Sequence, residues 1–367
     1  MGKWLRPVLL VIACALLIPC VFAADVLDEE AQILQTDTLH DGLDQQTRDL
    51  LGDASPTKQV SFADTLYKIV YSALSGSSGS VREAVSSAAM LLAAVFLCAM
   101  AENTESELTS RSACLAGTLA IFLICMRSFG GLIEDSIRTV QKISEYSKLL
   151  LPVLSSATIA SGGVSAGSTL YAGSMLFMSI LCSLLQGVLS PMVYIYCALS
   201  AAECSMAAGS LTKLRELTGS VISVCLKAVM YAFTGYLTLT GILSGAADDL
   251  RLKTAKAALS GTLPVVGSIV ADASGSVIAG AGILKNTVGV FGMLAVLAIG
   301  IFPFVRIGIS YLALKLTAAV SAVFSGGTQA KMLSCMATGM GYVLAMTGCT
   351  ILMVLVSVCC FLKAVGG

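Results

Sequence analysis

The amino-acid sequence predicts an all-α, polytopic integral membrane helical bundle behind an N-terminal signal peptide and a short extracytoplasmic acidic tail. Composition comes first: 56% of residues are hydrophobic and 12% charged, against about 25% charged in an ordinary soluble domain. Such a chain cannot cover a globular surface with charge, and its mean hydropathy is +0.89. The apolar residues also fall in runs of about 18 or more, the length that crosses a bilayer as a helix. Short alternating strands of the kind a membrane barrel needs are missing, so helices must satisfy the backbone in lipid.

Residues 1–24 read as a signal peptide. Lys3 and Arg6 form the charged start, Leu9 to Ile18 the apolar core, and Val21-Phe22-Ala23 a small-residue cleavage site. An uncleaved anchor is the alternative, and either form places the acidic tail outside the cytoplasm. Residues 25–80 form that tail. Asp25, Asp28, Glu29, Glu30, Asp37, Asp41, Asp44, Asp49 and Asp53 face only Arg48 and Lys58, a pattern expected of a solvated segment. Leu39, Leu43, Leu50 and Leu51 leave room for a short helix that docks on a partner. Val60 to Leu74 has helical spacing and suits an interfacial amphipathic helix. The run from Gly76 to Ser80 reads as a flexible joint.

Residues 81–367 form the multi-span membrane domain. Apolar segments run from Ala84 to Ala101, Ala113 to Phe129, Ser168 to Leu189, Met192 to Ala208, Gly219 to Leu243, Val288 to Val305 and Gly339 to Leu362. Leu149–Val164, Thr262–Leu284 and Ile307–Phe324 are apolar but rich in Gly, Ser and Ala, so they span, re-enter or lie buried; the expected count is six to nine spans. Pro152, Pro191, Pro264 and Pro303 mark candidate helix breaks, with tight packing alone the preferred reading, since no paired broken halves are evident. Ile133–Leu150 and Ala246–Leu259 carry interleaved charge and read as amphipathic connectors.

Thirteen cysteines lie singly or as one adjacent pair, mostly within apolar runs, with no CxxC spacing, and His40 is the only histidine. They read as small buried hydrophobes, and metal or histidine-based chemistry lacks raw material. Zero net charge leaves no basic footprint for nucleic acid. Phosphate-binding loops, HExxH and GxSxG do not occur. The expectation is therefore a protein that is not an enzyme and carries no cofactor.

The residues singled out are packing and buried-charge candidates. Gly163 with Gly167, and Gly241 with Gly245, have the small-xxx-small spacing that brings helices close in lipid. Glu203, Lys227, Asp272 and Arg306 are ionisable groups within apolar stretches, where each costs a few kcal/mol unless paired. Lys227 is the expected buried partner of Asp272. Arg306, Lys285 and Lys315 lie where a side chain snorkels to the interface.

One stretch goes beyond composition. Pro264-Val-Val-Gly-Ser-Ile-Val-Ala-Asp-Ala-Ser-Gly-Ser276, continuing through Gly280-Ala-Gly-Ile-Leu-Lys-Asn286 to Val288-Gly-Val-Phe-Gly292, resembles the stage III sporulation protein AE family of endospore-forming Firmicutes. Ile301-Phe-Pro-Phe-Val-Arg306, Leu150-Leu-Pro-Val-Leu-Ser-Ser156 and Gly79-Ser-Val-Arg-Glu83 fit the same family. The resemblance implies a multi-pass protein of the mother-cell membrane around the forespore, acting with other stage III A operon proteins and forespore stage II protein Q. Together these would form a transenvelope channel or export complex that keeps the engulfed forespore active. The resemblance supplies no catalytic residues. A stand-alone secondary transporter is the rival reading; it requires an internal inverted repeat and a charged midplane site.

Overall fold

The computed structural model describes residues 37–52, 54–56, 61–102, 107–205, 211–262, 266–324 and 328–364. The side chains of 37, 102, 107–111, 113, 241–262, 266–278 and 324 lie outside the description, as does the whole of the expected signal peptide. Among the described residues the chain is helical, without a strand. Its helices are α1 (Asp37–Asp41), α2 (Gln45–Leu51), α3 (Phe62–Gly76), α4 (Ser78–Glu102), α5 (Glu107–Ala160), α6 (Val164–Leu184), α7 (Ser190–Ser205), α8 (Thr212–Thr262), α9 (Val266–Phe324) and α10 (Thr328–Lys363).

Among the described residues, six stretches are long and apolar enough to cross a membrane: Ser78–Ala101, Cys114–Ala160, Val164–Ser205, Thr212–Thr240, Ala279–Val323 and Thr328–Lys363. Several expected segments are continuous with their neighbours. Leu149–Ala160 is the end of α5, and Val288–Val305 runs unbroken into Ile307–Phe324 within α9. Pro152 and Pro303 lie inside these helices and do not end them. Pro191 follows a π-helical turn, Leu185–Leu189, that joins α6 to α7. A proline has no N–H to donate. The wide turn before it shifts the bonding register, with the Ser190 hydroxyl donating to Leu185 O at 2.8 Å.

The core is built on α5, α9 and α10. α10 runs antiparallel to α9: Gly289 lies against Leu362, Gly300 against Ile351, and Gly341 against Tyr311. α5 is also antiparallel to α9, with Leu150 over Gly292 and Ile143 beside Gly300. Phe129, Ile143, Leu150, Phe291, Leu294, Met336 and Val343 are fully buried between them. The 54 residues of α5 rise about 80 Å at ~1.5 Å per residue, well beyond the ~30 Å hydrocarbon layer. Phe96, Leu97, Leu119, Leu123, Leu176, Leu312 and Leu316 are exposed on the outside of the bundle. Soluble monomers rarely display apolar surface on this scale; lipid covers it readily.

The acidic stretch differs from the solvated tail expected of it, over residues 37–51. There α1 and α2 pack on α5 and α9, burying Leu39, Leu43 and Leu51. Asp44 caps α2, accepting from Thr47 N at 3.0 Å, while Arg48 donates to Leu43 O and Asp41 O. The docking surface is the chain's own bundle. α3 buries Thr65, Ile69 and Ala73, at i, i+4 and i+8, and leaves Tyr67, Tyr71 and Leu74 exposed. The expected joint at 76–80 is a single residue, Ser77, whose hydroxyl donates to Leu74 O at 2.6 Å. It is a tight corner, because Val81 N already bonds to Ser77 O at 2.9 Å.

Candidate functional site

Among the described residues, ion pairs between helices gather at two places. At the first, α4 contributes Glu83, α5 Asp135 and α9 Arg306. Arg306 Nη1 donates to Asp135 Oδ2 at 2.7 Å, and Nη2 to Glu83 Oε2 at 3.3 Å. Rather than snorkelling from a span end, Arg306 sits well inside the 59-residue α9, held by carboxylates from two other helices. Nearby, Arg138 pairs with Glu134 at 2.9 Å and Lys142 with Asp44 at 2.6 Å. Burial tends to raise the Asp44 pKa, but the hydrogen bonds from Lys142 and Thr47 outweigh it and hold the carboxyl below its ordinary value.

Two cavities flank this ion triad. One, of about 590 Å³, lies between α4, α5 and α9, from Ser80, Glu83 and Arg306 to Leu91, Ile124 and Thr317. The other, of about 270 Å³, lies between α2, α5 and α9, with Asp44, Asp135, Lys142 and Phe302 in its wall. Ser80 and Arg306 belong to both. Because α5 and α9 are antiparallel, the cavities succeed one another along the same pair of helices.

The second cluster lies where α7, α8 and α10 meet. Glu203 is buried with its side chain 3% exposed. It accepts from Arg215 Nε at 2.6 Å, from Lys331 Nζ at 2.7 Å and from the Thr212 hydroxyl at 2.7 Å. Arg215 also reaches the Tyr196 hydroxyl at 3.2 Å and lies over its ring. A carboxylate with three donors is satisfied, and it fastens three helix ends together.

The other candidates divide. Lys227 does not take the buried position expected of it. α8 turns Ile222, Leu226, Phe233 and Leu237 inward, which places Lys227 with Val224 and Tyr231 on the exposed face. Asp272, Gly241 and Gly245 fall on α9 and α8 at positions whose side chains lie outside the described residues. Gly163 caps α6, and its N–H donates to Thr158 O at 2.9 Å. A Cβ on Gly167 would meet Ile159 Cγ1 at 2.8 Å and Ser155 O at 2.9 Å, so this glycine lets α6 close onto the end of α5. Gly162, at φ +101°, supplies the left-handed turn between them.

Sequence reasoning placed Lys285 at an interface, whereas it is buried and donates to Leu362 O at 3.2 Å. A cation on a last-turn carbonyl of α10 offsets the negative end of that helix. Asp135 and Glu83 were not singled out as partners of Arg306, and no local spacing in the sequence marks them as such. Cys125, Cys182, Cys197, Cys204, Cys225, Cys335, Cys349, Cys359 and Cys360 are free thiols, and among the described residues no three His, Cys, Asp or Glu side chains are grouped to hold a metal ion.

The chain has recognisable relatives. The family model described as stage III sporulation protein AE matches residues 48–364. Stage III sporulation protein AE of Bacillus subtilis (strain 168) is 24% identical over 246 residues, 67% of this chain and 62% of the relative. The matched stretch thus spans less than two thirds of that relative's length. No solved structure matches. A match that runs from α2 to the end of α10, across both charge clusters, decides the assignment: this chain belongs to the stage III sporulation protein AE family.

Proposed function

We propose that the protein is a non-catalytic membrane subunit of a sporulation-specific transenvelope channel or export complex between mother cell and forespore, required for forespore activity after engulfment. The observation that carries this reading is membership of the stage III sporulation protein AE family. Six membrane-competent stretches among the described residues are consistent with a multi-pass membrane protein, here assigned to the mother-cell membrane surrounding the forespore. Its partners would be the other stage III A operon proteins and the stage II protein Q complex. The large exposed apolar surface and the exposed aromatic face of α3 offer area for such neighbours.

The N-terminal signal peptide would place α1–α3 outside the cytoplasm. Alkaline phosphatase fused after Ser55 should then be active; a silent phosphatase with an active cytoplasmic reporter there overturns that orientation. The complex is tested by clean deletion scored for forespore gene expression after engulfment, with mild-detergent pull-down from sporulating cells. Recovery of stage III A proteins supports the reading. Normal forespore expression in the deletion strain, or a lone protein competent for transport in liposomes, favours the secondary transporter instead.

A further inference from the structure

The larger cavity differs from an ordinary solute pocket in its walls. They belong to membrane-competent helices, α4, α5 and α9 with Met340 of α10, and Glu83, Ser86, Met90 and Arg127 along it are exposed. It is therefore a groove on the outer face of the bundle, where acyl chains lie.

Its polar groups recur along the helices. Glu83 and Arg306 stand at one end, and Ser87 and Ser310 come one turn on, about 6 Å further. Arg127 comes from α5, eight residues before Asp135, and so lies about 12 Å from the ion triad. Apolar side chains share this wall with the serines: Ala84, Ala88, Leu91 and Leu314. Arg127 makes no ion pair or hydrogen bond with a described residue. A guanidinium on a lipid-facing wall is costly without a counter-charge. Arg306 uses one nitrogen for each of its carboxylates and retains further donors.

We propose that this groove holds one phospholipid. Its phosphodiester lies between Arg127 and Arg306, beside the Ser87 and Ser310 hydroxyls, and an acyl chain runs on from there along Ala88, Leu91 and Leu314. Guanidinium suits phosphate through paired donors. The Glu83 carboxylate at the rim selects a headgroup that also carries an ammonium, so phosphatidylethanolamine is preferred to phosphatidylglycerol. This inference stands on the groove and is independent of what the wider complex exports.

The test is native mass spectrometry of the full chain in detergent, after delipidation and titration with phosphatidylethanolamine, phosphatidylglycerol or inorganic phosphate. The unmodified protein should retain one phosphatidylethanolamine at collision energies that strip bulk lipid. Arg127→Gln should weaken that binding about tenfold, the loss expected of one charge-assisted contact, with Arg127→Lys intermediate. Ala88→Phe leaves both arginines but fills the acyl path, and should weaken binding similarly. Lys227→Gln, on the exposed face of α8, should bind as the unmodified chain does. Thermal unfolding of each variant separates loss of the site from loss of the fold. Equal loss in Lys227→Gln, unchanged binding in Ala88→Phe, or competition by inorganic phosphate as strong as by lipid overturns the lipid site. Preference for phosphatidylglycerol overturns the role given to Glu83.

Discussion

Arg306 and Asp135 are 171 residues apart in the chain and 2.7 Å apart in the fold, a contact that joins α9 to α5 where the two cavities meet. Glu83 completes it from α4 at 3.3 Å. Arg306 is 42% and Asp135 30% exposed, so solvent screens the pair and its contribution is modest. A double-mutant cycle of Arg306→Gln and Asp135→Asn, read by thermal unfolding in detergent, should give a coupling of about 0.5–1 kcal/mol. Additivity within error would mean the two side chains act independently.

Composition made the class of this fold legible, because a chain with so little charge has no other way to be covered. Helix boundaries were less legible. Pro152 and Pro303 look like breaks, yet each lies inside a long helix of the α5–α9–α10 core, where packing outweighs the loss of one backbone bond. The docking of α1 and α2 was half visible. Leu39, Leu43 and Leu51 carry helical spacing, but the acidic residues around them point to water, and nothing in the sequence links Lys142 of α5 to Asp44. Of the site, single residues were readable and their partners were not. Glu203 and Arg306 declare themselves as charges in apolar runs. Lys331 and Asp135 lie 128 and 171 residues away from them, and no local spacing connects such pairs. Lys227 failed as a buried group because its position on one face or the other of α8 depends on which neighbours that helix meets.

Gly167 should tolerate no side chain. Its Cβ position faces backbone, Ser155 O at 2.9 Å, as well as Ile159, so the clash cannot be relieved by rotating a flexible group. Ser155 also donates to Gly167 O at 2.9 Å, fixing the two helices at this spacing. Gly167→Ala should destabilise the protein by about 1–3 kcal/mol, the range for overpacking a tight contact. Gly187→Ala, where a Cβ meets nothing within 4 Å, is the control. Equal unfolding midpoints for the two variants would remove the packing role of Gly167.

Acid should loosen α1 and α2 before the rest. The Asp44 carboxyl is held below its ordinary value by Lys142 and Thr47. A group depressed in the folded state contributes stability above its unfolded pKa, near 3.9, and loses it as pH falls through the folded value. Hydrogen exchange of residues 38–51 should therefore rise, relative to α5 and α10, only below about pH 4. Asp44→Asn should show the loosened state already at pH 7 and respond little to further acid. The effect is small, since Asp44 is 42% exposed and screened. Uniform exchange across the chain at low pH would show that α1 and α2 do not open as a unit.

Among the described residues, Glu203 is the ionisable one whose loss should cost most. Its side chain is 3% exposed and meets two cations and a hydroxyl. Glu203→Gln keeps the shape but removes the charge, leaving Arg215, itself 13% exposed, facing a neutral amide. Breaking one side of a buried pair is destabilising by about 3–5 kcal/mol. Here the lower end applies, about 3 kcal/mol, because Lys331 is 53% exposed and regains water. Arg215 keeps Tyr196 at 3.2 Å and a weak contact to Glu216 at 3.8 Å. The double variant Glu203→Gln with Arg215→Gln should recover part of the loss, since no buried charge is then left alone. Lys331→Gln alone should cost under about 1 kcal/mol, as an exposed partner does. Denaturant unfolding in mixed micelles ranks the three variants. If Lys331→Gln proves as damaging as Glu203→Gln, the junction of α7, α8 and α10 depends on the lysine and not on the buried Arg215 pair.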